Sequence, residues 1–176
     1  MRMIRRGAMA LPLALIMAAP LGMLRATPAS AETLILFTSV LSGASENPPQ
    51  PSPSQGVAEV LLVKETNMVC YRLSFSPLAG TEILAHFHGP AAPGTNAGIL
   101  VNITPGPSPI GSPKHGCVQF TKDQVKDLNK GLIYLNVHST VATGGEIRGQ
   151  VVPTKVKYTK VTAPSSPSGA FLLLQR

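Results

Sequence analysis

His86 and His88 stand two residues apart in "EILAHFHGPAAPG", and they make up half of the chain's 4 histidines. On an extended strand, side chains at i and i+2 leave the same face. Two imidazoles so placed can share a metal ion, work together on a substrate, or hydrogen-bond into one polar surface. A third histidine, His138, lies in "GLIYLNVHST". Three imidazoles are a legitimate ligand set for copper or zinc, with the neutral ring nitrogen as donor. Hydrolytic chemistry asks for more: a nucleophile beside a base, or a spaced pair of carboxylates in a cleft. His115 precedes Cys117 by two residues, which on a strand is not a nucleophile–base arrangement. The chain has only 8 acidic residues. Asp123 and Asp127 are i,i+4 neighbours near the start of the one expected helix, where negative charge suits the dipole. The residues therefore read as a non-enzyme.

The elements that would carry these histidines alternate with period two. In "EILAHFH", Ile83, Ala85 and Phe87 point one way, and His86 and His88 the other. In "LIYLNVHS", Ile133, Leu135 and Val137 oppose Tyr134, Asn136 and His138. In "GEIRGQVV", Ile147, Gly149 and Val151 oppose Glu146, Arg148 and Gln150. If the three strands are neighbours, His86, His88, His138, Tyr134, Asn136, Glu146 and Arg148 share one face. Two readings then compete. In the first, the histidines are neutral members of a hydrogen-bonded network that fixes the strand arrangement. In the second, His86, His88 and His138 bind copper or zinc. Either way, Arg148 or Glu146 is expected within hydrogen-bonding reach of at least one histidine.

Eight short apolar or alternating runs recur between Gly, Pro, Asn and Ser clusters: "TLILFTSVL", "GVAEVLLVKE", "MVCYRLSFS", "EILAHFH", "GILVNIT", "GCVQFT", "LIYLNVHS" and "EIRGQVV". Runs of this length and spacing predict an all-β fold, a single antiparallel Greek-key-like sandwich of about eight strands. One short helix fits "TKDQVKDLNKG", with Thr121 and Gln124 as a capping box and Gly131 at its end. The Gly-rich "GPAAPGTNAG" lacks the lysine and helix start of a phosphate loop and reads as a turn beside the histidine strand.

The ends have a different character. Residues 1–31 run from a basic start through an apolar stretch to Ala29-Ser30-Ala31, the order of a secretory signal peptide cleaved after Ala31. This predicts an exported protein, periplasmic or secreted, with a domain over 32–153 and a flexible tail over 154–176. No segment of the mature chain is long and apolar enough for a transmembrane span. Four of the 15 Lys and Arg residues lie in the leader, leaving 11 against 8 acids, so the mature charge is +3 rather than +7. With no basic stripe interleaved with aromatics, nucleic acid is not expected as a partner. An exported chain with two cysteines predicts a Cys70–Cys117 disulfide. Closing that loop stabilises the fold by about 4 kcal/mol in the chain-entropy treatment.

The segments "AHFHGPAAPGTNAGILVNI", "GLIYLNVHS" and "GGEIRGQV", preceded by "LSGASENPP", resemble the chordin-type CHRD domain family. The matching positions are Ala85, His86, His88 and Gly89, then Tyr134, Asn136, Val137 and His138, and finally Gly145, Glu146, Arg148, Gly149 and Gln150. The resemblance runs from about Thr33 to Pro153. It implies an exported β-sandwich whose biochemical role is undefined, so the expected function is a non-catalytic structural or binding module. Its partner would be a protein or other extracellular ligand that the sequence does not name. The alternative is a periplasmic or secreted copper- or zinc-binding protein using His86, His88 and His138, distantly like the copper/zinc superoxide dismutases. That analogy rests on a sandwich, an H-x-H strand, a disulfide and a late arginine. It departs where a second histidine cluster and an aspartate would form a zinc subsite.

Overall fold

The computed structural model describes residues 31–154, apart from Pro105 and Pro107, together with the backbone of 160–162. The signal-peptide reading and most of the tail lie outside these residues. Their strands are β1 (Ala31–Ser42), β2 (Gln55–Val63), β3 (Met68–Phe75), β4 (Glu82–His88), β5 (Ile99–Thr104), β6 (Lys114–Gln119), β7 (Ile133–Ser139), β8 (Ile147–Pro153) and β9 (Lys160–Thr162). A single turn of 3-10 helix follows β1 at Gly43–Ser45, and α1 spans Lys122–Asn129. Each of the eight apolar runs became one of β1 to β8. The ninth strand, within the expected tail, pairs with the start of β1 at Ala31–Thr33.

Every pairing is antiparallel, in the order β5-β4-β7-β8-β1-β2-β3-β6. The path bends between β8 and β1, so that β5-β4-β7-β8 packs face to face with β1-β2-β3-β6. The meander β1-β2-β3 with β8 returning beside β1 is the Greek-key relationship. At the bend, the ladder is bonded at Thr38↔Val152 and Ser42↔Arg148. Between those points Gly149 lies against Ser39 and Val40. A Cβ there would collide with the Val40 carbonyl oxygen.

The period-two pattern fills the space between the layers. Phe37 and Leu41 of β1, Val60 and Leu62 of β2, and Val69, Tyr71 and Leu73 of β3 meet Ala85 and Phe87 of β4, Leu135 and Val137 of β7, and Ile147 and Val151 of β8. Tyr71 and Phe87 touch edge to face across the core with centroids 5.6 Å apart, and Phe87 meets Phe120 in the same way at 5.6 Å. Such aromatic pairs add about 0.5–1.5 kcal/mol beyond the area they bury. Helix α1 closes one end and buries Leu128. Thr121 Oγ1 accepts from Gln124 N while the Gln124 side chain accepts from Thr121 N, the reciprocal cap the sequence predicts.

Two covalent or ionic ties hold the second layer. Cys70 and Cys117 are direct cross-strand partners on β3 and β6, with Cα atoms 3.9 Å apart, and are joined as a disulfide. Lys114, fully buried at the start of β6, pairs with Glu82 at 2.6 Å and donates to Thr104 Oγ1 and the Pro109 carbonyl. These contacts tie β6 to the start of β4 and the end of β5, and so join β5 and β6, the two ends of the strand order.

Candidate metal centre

The histidines stand on the outer face of the β5-β4-β7-β8 layer, and register explains why they meet. On β4 and β7 the Cα partners are Leu84↔His138, His86↔Asn136 and His88↔Tyr134, and on β7 and β8 they are Asn136↔Arg148 and Tyr134↔Gln150. His138 therefore lies diagonally beside His86, within reach of a long side chain. Strand parity predicts this face, but not its burial. Every residue of β7 is buried, on both faces. His86 retains 2 % of its exposure, His88 8 % and His138 8 %. Segments 43–54, 89–98 and 140–146 cover the polar side, so the protein has a second, polar interior.

Within it the histidines are held by backbone carbonyls. His138 Nδ1 lies 2.9 Å from the Thr143 carbonyl oxygen, and His88 Nδ1 lies 3.1 Å from that of Ala97. A carbonyl only accepts, so both Nδ1 atoms carry the proton and both Nε2 atoms keep a lone pair. His86 Nδ1 then donates to His138 Nε2 at 3.0 Å. The lone pair of His88 Nε2 is buried without a partner among the described residues. One nitrogen from each of the three rings lies within 4.8 Å of the others. Burial, reinforced by the adjacent His138 and His88 rings, pulls the pKa of His86 down to about 4. Burial likewise lowers His88 and His138, against the raising effect of their carbonyl bonds. Each shift favours the neutral ring, which keeps one N–H and one lone pair.

Around them the remaining polar residues divide. Tyr134 stacks parallel on His88, centroids 4.8 Å apart, and the Arg148 guanidinium lies 4.6 Å from the Tyr134 ring centre. The Tyr134 hydroxyl accepts from Ala97 N at 3.2 Å, the residue whose carbonyl anchors His88. Asn136 Nδ2 donates to Glu46 Oε1 at 2.6 Å, and Asn136 Oδ1 is buried without a partner among the described residues. Burial pushes Glu46 up to about 7, only partly offset by the Arg148 charge and the hydrogen bonds from Asn136 and Asn47. Gly145, at φ +129°, passes so close to this Asn136–Glu46 bond that a Cβ would strike both side chains.

Neither Arg148 nor Glu146 hydrogen-bonds a histidine, contrary to the sequence expectation. Arg148 reaches outward, Nε to the Ser45 carbonyl at 2.8 Å and Nη1 to Asn96 Oδ1 at 2.8 Å, so it clamps two covering loops together. Glu146 precedes β8 and turns to the sandwich end, accepting from Ser52 Oγ and Ala79 N at 2.7 Å each. Burial raises its carboxyl, but hydrogen bonds from Ser139, Ser52, Ala79 and Ser54 outweigh it and leave the pKa below the ordinary value. His115 lies exposed on β6, in the other layer, and does not join the cluster.

Residue-by-residue reading missed Glu46 and Ala97. Glu46 falls within "LSGASENPP", so the family motif was its one signal. Ala97 contributes only a carbonyl, which any residue supplies.

Fold and site together define an all-β module with a buried histidine face, closed by loops and stapled by one disulfide. Residues 37–151 match the family model described as CHRD domain, and the chain belongs to that family. Neither the curated proteins nor the solved structures contain a match to it.

Proposed function

We propose that this protein is an exported, non-catalytic binding module that holds one transition-metal ion between His86, His88 and His138. The observation that carries the reading is the convergence of three ring nitrogens within 4.8 Å. An ion with nitrogen ligands at about 2.0–2.1 Å needs those nitrogens about 3.3–3.6 Å apart. His86 and His138 already stand 3.0 Å apart, so the required adjustment is about an ångström. Anchoring Nδ1–H to a carbonyl is also how proteins orient a metal-bound histidine and aim Nε2. Export is supported by the basic–apolar–small order of residues 1–31 and by the disulfide, which belongs to oxidising compartments.

One observation favours a second reading, in which the face is a structural network: His138 Nε2 has a partner without any ion. Elemental analysis of protein exported and purified without an affinity tag decides between them. The metal reading predicts about one equivalent of a first-row metal after reloading, absent in His86→Ala and His138→Ala variants that retain their disulfide and β-sheet circular dichroism. A parent protein that stays metal-free after reloading makes the face structural.

A further inference from the structure

Resting on the metal reading, we infer that the site selects copper as the monovalent ion, bound by the three imidazoles with no fourth ligand. Imidazole alone does not make this choice, since it serves zinc and both copper states. Ligand number and burial do.

Structural zinc is four-coordinate, and catalytic zinc with three protein ligands keeps a water in the fourth position. Here the three rings are sealed, the most exposed at 8 %. Tyr134 lies flat against His88 and closes that side. Among the described residues the cluster offers three histidines and no carboxylate or thiolate. The further buried ligand atom without a partner on β7, the strand of His138, is Asn136 Oδ1, a neutral amide oxygen. A divalent ion would find neither a charged fourth ligand nor an open position for water. Copper(I), a closed-shell ion, is satisfied by three donors.

Charge points the same way. The free energy of taking an ion out of water grows with the square of its charge, so a dication bears about four times the cost of a monocation. Three neutral imidazoles return none of that charge. A cation, Arg148, stands 4.6 Å from the centre of the Tyr134 ring that stacks on His88 and disfavours a second positive charge further. Glu46 is engaged by Asn136 rather than turned to the histidines.

Competition titrations against chromophoric chelators test the inference, with anaerobic copper(I), copper(II) and zinc(II) as separate probes on the tag-free exported protein. Copper(II) outranks zinc at most nitrogen sites, so copper(I) against copper(II) is the comparison that discriminates. The expected result is one equivalent of copper(I), held about a hundredfold or more tighter than either divalent ion. His138→Ala should abolish it. His88→Met, which replaces one imidazole by a soft thioether and keeps an apolar-compatible shape, should retain copper(I) and lose zinc. Zinc or copper(II) binding as tightly as copper(I) at the same histidines overturns the inference and leaves the metal reading standing. Binding of none of the three ions overturns both.

Discussion

His86 Nδ1 and His138 Nε2 lie 3.0 Å apart, joined by a hydrogen bond between two buried rings on adjacent strands. The proton in that bond sits where an ion would sit. A metal entering the cluster must replace it, moving the His86 proton to the other ring nitrogen and leaving the net charge of the ligands unchanged. His86 and His138 thus satisfy each other without metal, while His88 Nε2 is left without a partner among the described residues. This is why a single histidine cluster supports both a structural and a binding reading.

Tyr134 is a positioning residue for His88. It stacks on the ring and shares Ala97 with it, as hydroxyl acceptor for the amide whose carbonyl anchors His88. Tyr134→Leu should weaken metal binding by about ten- to a hundredfold, the usual cost of losing an orienting partner. Tyr134→Phe keeps the stack and should lose less. Equal loss in both variants would place the effect in the hydroxyl rather than the ring.

Glu46 should give the fold an unusual pH response. Its folded pKa of about 7 stands above its ordinary value of 4.5, so the folded state holds the extra proton between those values. Stability from this group therefore rises as pH falls from about 7 toward 4.5, the reverse of a salt-bridged carboxylate. His86 acts oppositely. Its folded pKa of about 4 lies below the ordinary 6.5, so its contribution is complete above 6.5 and is lost as pH falls through 4. Glu46→Gln removes only the first effect. Thermal melts should show the variant more stable than the parent above pH 7, with the gain gone by about pH 4.5. A constant difference across this range would mean that Glu46 does not change protonation there.

Lys114 and Glu82 form a fully buried ion pair at 2.6 Å that ties β6 to β4. Lys114→Met leaves Glu82 as an uncompensated buried charge and should cost about 3–5 kcal/mol in denaturant unfolding. Adding Glu82→Leu should recover much of it, because replacing both members by apolar groups is often neutral. Failure of the double variant to recover would assign the cost to the other Lys114 contacts, at Thr104 and Pro109.

Much of this was legible in the sequence because period-two alternation and turn residues are local signals. The eight apolar runs, the Thr121–Gln124 cap and the common face of His86, His88 and His138 all follow from spacing. The second interior does not. It depends on loops that return over the sheet and offer carbonyls at Ser45, Ala97 and Thr143, and a carbonyl leaves no mark on residue identity. Parity also overreached at Glu146. That residue precedes β8, and its neighbours Ser52, Ser54 and Ala79 are remote in sequence. Arg148 shows the same limit: parity gives its face, but its length carries the guanidinium outward to Asn96.

Anomalous diffraction at the metal edge, from crystals of the metal-loaded protein, reads the central claim directly. The expected result is one peak about 2 Å from a ring nitrogen of each of His86, His88 and His138. The separation of the His86 and His138 nitrogens should open from 3.0 Å to about 3.3–3.6 Å as the ion takes the place of their shared proton. A peak anywhere else, or an intact His86–His138 hydrogen bond with no peak beside it, would contradict the account.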